Sequence, residues 1–208
     1  MKSSKIMFIG VIAVVVLIIF YSLSSEQIDE GYLKDLTEFR IDKNDRFKNN
    51  EADSPFDKVN RAEFDSLSYF SVNPYYRIQA DFERLGENEV VEIPTTKDGE
   101  SQKYIRYGKA KFQLEGKKHE VILLKPFDKL NLPTVFLYFR DKTSGESTYG
   151  GGRYVDVIPG KTSCIIDFNM AYNPYCAYNS YYICPIPPKE NYLEVPIEAG
   201  EKVYGLKK

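Results

Sequence analysis

The sequence predicts a mainly β protein, an antiparallel β-sandwich or barrel preceded by an N-terminal transmembrane helix and an amphipathic helix. Three features lead there. An uncharged apolar run opens the chain, a stretch with apolar residues three and four apart follows it, and from Tyr76 onward the hydrophobic period drops to two. The aromatic content points the same way, with 17 Tyr and 13 Phe but no Trp, a bias toward residues that suit a pleated surface.

From Ile6 to Leu23 the chain runs 18 residues without a charge (IMFIGVIAVVVLIIFYSL), long enough for a helix to cover the hydrocarbon thickness of a bilayer. A cleavable signal is the alternative. It usually has a shorter apolar core and a small-residue exit, whereas this segment ends in Phe20, Tyr21, Ser22, Leu23, Ser24 and Ser25. Lys2 and Lys5 precede the span, and Glu26, Asp29 and Glu30 follow it. The positive-inside rule therefore puts the N-terminus in the cytoplasm and the rest of the chain in the periplasm or outside the cell. The membrane, entered through this helix, is the first expected partner.

Ile28, Tyr32, Leu36, Phe39 and Phe47 recur at steps of three, four or eight, and Ser24 with Gln27 forms a possible capping box. This predicts an amphipathic helix over 26–48, either a stalk packed on the domain or a docking helix for a membrane-protein partner. Ser54-Pro55 with Asp57 resembles a short helix start. The organisation expected is thus a cytoplasmic tip and anchor over 1–25, a stalk helix and linker over 26–60, and one β domain over 61–208.

Within that domain Tyr76, Ile78, Ala80 and Phe82 alternate with Arg77, Gln79, Asp81 and Glu83, the pattern of a half-buried strand. Further strands are expected at 90–95, 102–107, 110–115, 119–125, 134–140, 153–158, 162–169, 192–197 and 202–206. Asp98-Gly99, Glu115-Gly116-Lys117 and Pro159-Gly160-Lys161 serve as turns between them.

Several chemistries are set aside by composition. Charges nearly balance, 28 Lys plus Arg against 30 Asp plus Glu, and no basic run marks a nucleic-acid face. His119 is the only histidine, so a His-based triad or a zinc site lacks its parts, and no metal or cofactor is expected. Phosphate loops and nucleophile elbows are absent, and Gly150, Gly151 and Gly152 read as a bulge or tight bend.

The dense region runs from Phe139 to Gly200: FRDKTSGESTYGGGRYVDV, DFNMAYNPYCAYN and CPIPPKENYLEVPIEAGEKVY. Together with RIDKNDRFK at 40–48, SPF at 54–56 and YFSVNPYYRIQA at 69–80, it resembles the family catalogued as domain of unknown function 1684. The resemblance implies a shared architecture and brings no activity with it. Read for themselves, Asp167, Asn169, Asn173 and Asn179 interleave with Tyr172, Tyr175 and Tyr178. That pattern either braces irregular backbone or lines a polar pocket for a small molecule or glycan.

Alternation in TSCIIDFN puts Cys164, Ile166 and Phe168 on one face and Asp167 on the other, with Arg77 or Arg153 as its ionic partner. The candidate ligand-binding set is Arg77, Tyr149, Arg153, Asp167, Asn169, Asn173, Glu190 and Asn191. The alternative function is a hydrolase using Asp167 and Glu190 with Tyr149 as acid or base. Cys176 and Cys184 close a short loop, and in an oxidising compartment they are expected to form a disulfide with Cys164 left reduced.

Overall fold

The computed structural model describes residues 29–86 and 89–205. The apolar span expected at 6–23, and the capping box at Ser24, lie outside the described residues. Among those described, no helix is long and apolar enough to cross a membrane. The chain divides into two units between Lys34 and Asp35. Residues 29–34, the described part of the first, begin helix α1 (Glu30–Asn49), where the Asp29 carboxylate accepts the Gly31 N–H at 2.9 Å. All that follows concerns the second unit, from Asp35.

Helix α1 covers the described part of the 26–48 expected from periodicity from Glu30 onward, and residues 26–28 lie outside the described residues. Its buried positions are Leu36, Lys43 and Phe47. These are spaced seven and four apart, so they fall on one stripe, and a lysine occupies the middle of it. Phe47 enters an aromatic cluster with Phe56, Phe64 and Leu67, edged by Tyr69, Tyr175 and Tyr178. Helix α2 (Lys58–Glu63) is capped by Asp57, which accepts the Asn60 N–H at 2.8 Å. Ser54 instead donates its hydroxyl to the Phe47 carbonyl at 2.6 Å, sealing the end of α1.

The body is one curled sheet of eight strands: β1 (Arg77–Arg84), β2 (Val90–Pro94), β3 (Ser101–Leu114), β4 (Lys117–Pro126), β5 (Val135–Asp141), β6 (Arg153–Val157), β7 (Ser163–Asp167) and β8 (Tyr192–Leu193). Its order is β6-β5-β4-β3-β1-β7, with β2 also on β3 and β8 on β5. All pairings are antiparallel except β5 with β8. The mainly β, antiparallel reading holds, but the form is a half-barrel rather than a sandwich or a closed barrel. A sandwich needs two sheets, and here the end strands β6 and β7 come near each other without joining in a ladder.

One irregularity organises the packing. Two expected strands, 102–107 and 110–115, are a single strand β3, whose pairing with β4 shifts by one residue between Arg106 and Gly108. A one-residue shift moves every later side chain to the opposite face. Before it, Tyr104 joins the outer cluster of Ile93, Ile122, Leu124, Tyr138 and Tyr154. After it, Ala110, Phe112 and Leu114 turn into the main core with Val121, Leu123, Val135, Leu137, Phe139, Val155 and Val157. Gly108 is what the close approach demands. A β-carbon there would lie 2.4 Å from the Phe82 ring and 2.8 Å from the Glu83 carbonyl oxygen. Because successive β4 residues feed different clusters, Val121 through Leu124 are all buried, an apolar run rather than an alternation.

The remaining expectations divide. Tyr76, Ala80 and Phe82 face the core as predicted, as do Cys164, Ile166 and Phe168. The hairpin turn at Glu115-Gly116 has both residues at positive φ, 51° and 68°, which suits the twist of its strands. The strand expected at 192–197 shortens to β8, and that at 202–206 forms no strand over its described residues. Residues 195–201 instead lie as a strap over the open side of the curl, with Val195, Ile197 and Ala199 in the core. The strap takes its hydrogen bonds from side chains as well as from neighbouring backbone.

Candidate functional site

The candidate ligand residues mostly serve this strap and the segments beside it. Arg153 is not the partner of Asp167. Its guanidinium is buried and donates to the Asp141 carboxylate at 3.0 Å, to the carbonyls of Ile197 (2.9 Å) and Glu201 (3.3 Å), and to that of Ala199. Burial pushes the pKa of this guanidinium down, and the Asp141 charge opposes the shift. Asp141 in turn accepts from the Thr143 N–H at 2.7 Å, the Thr143 hydroxyl at 2.6 Å and the Ile197 N–H at 3.2 Å.

Asp167 pairs with Arg77, its register partner across β1 and β7, at 3.7 Å, as one of the two sequence-level options had it. It also accepts the Asn169 N–H at 3.0 Å. Asn169 exchanges two hydrogen bonds with the Asn73 backbone, at 3.0 and 2.9 Å. Asn191 is fully buried and ties β4 to β5, accepting the Ile122 N–H at 2.7 Å and donating to the carbonyls of Ile122 and Tyr138. Asn173 donates to the Glu201 carboxylate at 3.0 Å and to the Lys202 carbonyl at 2.8 Å.

Glu201 is the hub that the sequence reading missed. It is 1% exposed and accepts from Lys43 at 2.7 Å, from the Asn173 side chain and backbone, and from the Tyr178 hydroxyl. The signal was present in the helix pattern, where Lys43 stands midway between Phe39 and Phe47 on the apolar stripe. A long-stemmed charge at a core position needs a buried counter-charge.

Glu190 lies apart from these groups at the surface, in an ion pair with Arg106 at 3.1 Å. A hydrogen bond from its own backbone amide, and then that partner, hold its carboxyl below the usual range. Tyr149 donates its hydroxyl to Cys176 at 3.7 Å. Asp167, Glu190 and Tyr149 thus sit against three different partners, Arg77, Arg106 and Cys176. The bridge expected between Cys176 and Cys184 is not formed. All three cysteines are free thiols. Loop length sets only the proximity of two sulfurs, whereas bonding them is an oxidation that depends on surroundings. His119 is half-buried, stacked on Phe112 at 5.4 Å.

One of the open clefts is aromatic. Across strands β3 to β6, a cleft of about 670 Å³ is lined by Tyr104, Phe136, Tyr138, Tyr154, Tyr172 and Phe127, with Gln102, Lys103, Asp128 and Lys129 among its polar groups. Tyr138 is central. Its ring centroid is 4.2 Å from Tyr154, 5.5 Å from Tyr104 in an edge-on contact and 5.9 Å from Phe136 in a stack. Each hydroxyl is committed within the protein: Tyr138 to Tyr104 (3.4 Å), Tyr104 to Gln102 (3.1 Å), Tyr154 to the Pro185 carbonyl (2.6 Å) and Tyr172 to Asp156 (2.7 Å). Burial raises the pKa of Tyr104, Tyr138, Tyr154 and Tyr172, so these phenols stay protonated at neutral pH. The tyrosines of the cleft therefore offer ring faces and neutral hydroxyls, beside the one carboxylate of its lining, Asp128. Among the described residues, no group of three or more His, Cys, Asp or Glu is arranged to hold a metal ion.

Comparison with known proteins gives this architecture a family. The family described as a protein of unknown function, DUF1684, matches residues 62–202, which take in every strand of the curl, the thiol loop and the strap. The chain belongs to this family. The DUF1684 region begins within helix α2, after helix α1 and Phe56. The chain is also similar to an uncharacterized protein of Haloarcula marismortui whose solution NMR structure is known. The two are 33% identical with a TM-score of 0.67, covering 86% of this chain and 97% of that one. No curated protein matches.

Proposed function

We propose that this DUF1684 domain is a non-catalytic binding module whose cleft holds a small hydroxylated ring, of the glycan class, against the rings of Phe127, Phe136 and Tyr172. The observation that carries the reading is the lining of the cleft: six aromatic rings, with two lysines, an aspartate and a glutamine among the polar groups. Flat apolar faces set beside a few hydrogen-bonding groups are the usual make-up of a small-molecule site. Tyrosine and phenylalanine supply large rigid contact area at low entropic cost. The hydroxyls of the floor are already paired with protein groups, so they fix the rings rather than compete for ligand.

In the same proposal the module is displayed outside the cytoplasm on a membrane anchor formed by residues 6–23. The support is the uncharged run itself and the lysines at positions 2 and 5 that precede it.

The test uses tyrosine fluorescence and ligand-observed NMR on the full chain against a panel of mono- and oligosaccharides. Tyrosine is the emitter because the chain has no tryptophan. Saturable binding that Phe136→Ala or Phe127→Ala abolishes, and that Tyr181→Ala leaves alone, supports the reading. Tyr181 is 91% exposed and does not line the cleft. Absence of binding across the panel, or binding indifferent to both cleft variants, refutes it.

A further inference from the structure

Cys176 and Cys184 are built into different surroundings. Cys176 stands on the short helical turn Tyr175–Ala177 and is partly exposed, whereas Cys184 is buried. Cys184 is fixed through its backbone. Its N–H donates to the Thr96 hydroxyl at 3.1 Å and its carbonyl accepts the Thr96 N–H at 2.9 Å. The Cys176 N–H donates to the Cys184 sulfur at 3.3 Å, so the two thiols lie side by side. On another side the Tyr149 hydroxyl points at the Cys176 sulfur from 3.7 Å. Nothing in the proposed ring-binding cleft uses this arrangement.

We propose that Cys176 and Cys184 form a reversible thiol–disulfide couple that reacts with small disulfides, Cys176 attacking and Cys184 resolving. In the first step the Cys176 thiolate attacks one sulfur of the small disulfide. The S–S bond of that molecule breaks, Cys176 is left in a mixed disulfide, and one thiolate departs. In the second step Cys184 gives up its proton and attacks the Cys176 sulfur, forming the internal bond and expelling the second small thiolate. The protein loses two electrons and two protons, and the disulfide gains them as two thiols.

The order of attack follows from the surroundings. The neighbouring Cys184 thiol and the Tyr149 hydroxyl favour the Cys176 anion, so its thiol is lowered to about 7, while Cys184, whose proton that anion holds, is pushed up. Exposure agrees, since only the first sulfur must meet the oxidant. The loop between them is held to the body by Asn179, which donates to the Pro55 carbonyl at 2.9 Å, so the sulfurs stay close in the reduced state. Cys164, buried in the core with its thiol pushed up to about 11, takes no part.

The experiment treats the full chain with oxidised glutathione under native conditions and maps the cysteines by mass spectrometry. The result expected is a Cys176–Cys184 bond in the parent, reversed by dithiothreitol, a glutathione adduct on Cys176 that persists in Cys184→Ser, and no adduct on Cys184 in Cys176→Ser. Tyr149→Phe slows the first step at pH 6 by about threefold for each unit by which the Cys176 pKa rises, because a scarcer thiolate is also a more nucleophilic one. Modification of Cys164 as fast as Cys176, adduct formation first at Cys184, or a parent that ends as a stable mixed disulfide without the internal bond would each overturn the proposal.

Discussion

Replacing Arg153 by methionine removes a charge from the most connected buried position in the fold, and its cost follows from what is left behind. Asp141 keeps three hydrogen bonds, from the Thr143 N–H and hydroxyl and from the Ile197 N–H, but loses its counter-charge. Breaking one side of a buried pair costs about 3–5 kcal/mol. The carbonyls of Ile197, Ala199 and Glu201 lose a donor as well, and each unmet buried carbonyl adds roughly 1 kcal/mol or more, without full additivity. Simple addition gives about 6–8 kcal/mol as an upper figure, a large part of the 5–15 kcal/mol that typically holds a domain together. Arg153→Lys keeps the charge but not the planar fork, so it recovers only part of the set and costs about 2–3 kcal/mol.

The assay is urea unfolding of the full chain in mild detergent, followed by far-UV circular dichroism, with amide hydrogen exchange reporting on residues 195–201. Asp167→Asn is the internal contrast. Arg77 is 45% exposed and 3.7 Å away, and the amide oxygen still accepts the Asn169 N–H, so the change costs less than about 1 kcal/mol. If Arg153→Lys unfolds within about 0.5 kcal/mol of the parent and exchange in the strap is unchanged, Arg153 is not the brace described here.

Three further outcomes test other joints of the structure. Lys43→Ala strands the Glu201 carboxylate and lowers stability by about 3–5 kcal/mol, while Asp42→Ala, on the exposed side of α1, stays within about 0.5 kcal/mol in the same melt. Gly108→Ala forces the Phe82 ring and the Glu83 backbone apart, costing about 1–3 kcal/mol, with partial rescue by Phe82→Leu in chemical denaturation. Iodoacetamide labelling of Cys176 rises with pH through a midpoint near 7, because a lowered pKa puts the thiolate above that pH, whereas Cys164 stays slow until near 11. Equal labelling profiles for the two would refute the difference in surroundings.

Where one rule governs a segment, the sequence was legible. Strands β1 and β7 each face one core, so strict alternation named their inward residues correctly, from Ala80 and Phe82 to Cys164 and Ile166. Strand β3 was split in two because its bulge changes the face of every residue after Arg106, and a flip of parity looks like a break. The shape of the sheet was not readable either, because closure depends on how far β6 and β7 come together, a sum of twists over the whole order. At the candidate site, the motif residues were noticed for being polar and dense, but density alone does not distinguish bracing from binding. Asn191 and Arg153 are polar because irregular backbone beside them needs donors. The aromatic cleft escaped notice because its rings come from Tyr104, Phe136, Tyr154 and Tyr172, which only the folded sheet assembles.

The joint between Lys43 and Glu201 also has a consequence for how the protein is made. The partners are 158 residues apart in the chain. A ribosome adding about 5–20 residues per second therefore leaves the lysine without its counter-charge for roughly 8–30 s. Throughout that interval the apolar stripe of α1, with Leu36 and Phe47, has no finished surface to cover it, since the strap that carries Glu201 has yet to be synthesised. The nascent chain must keep this helix from wrong partners in the meantime, and a solvated lysine in the centre of the stripe does so by making premature burial costly. The residue that locks the helix in place at the end is the one that keeps it in solution at the start.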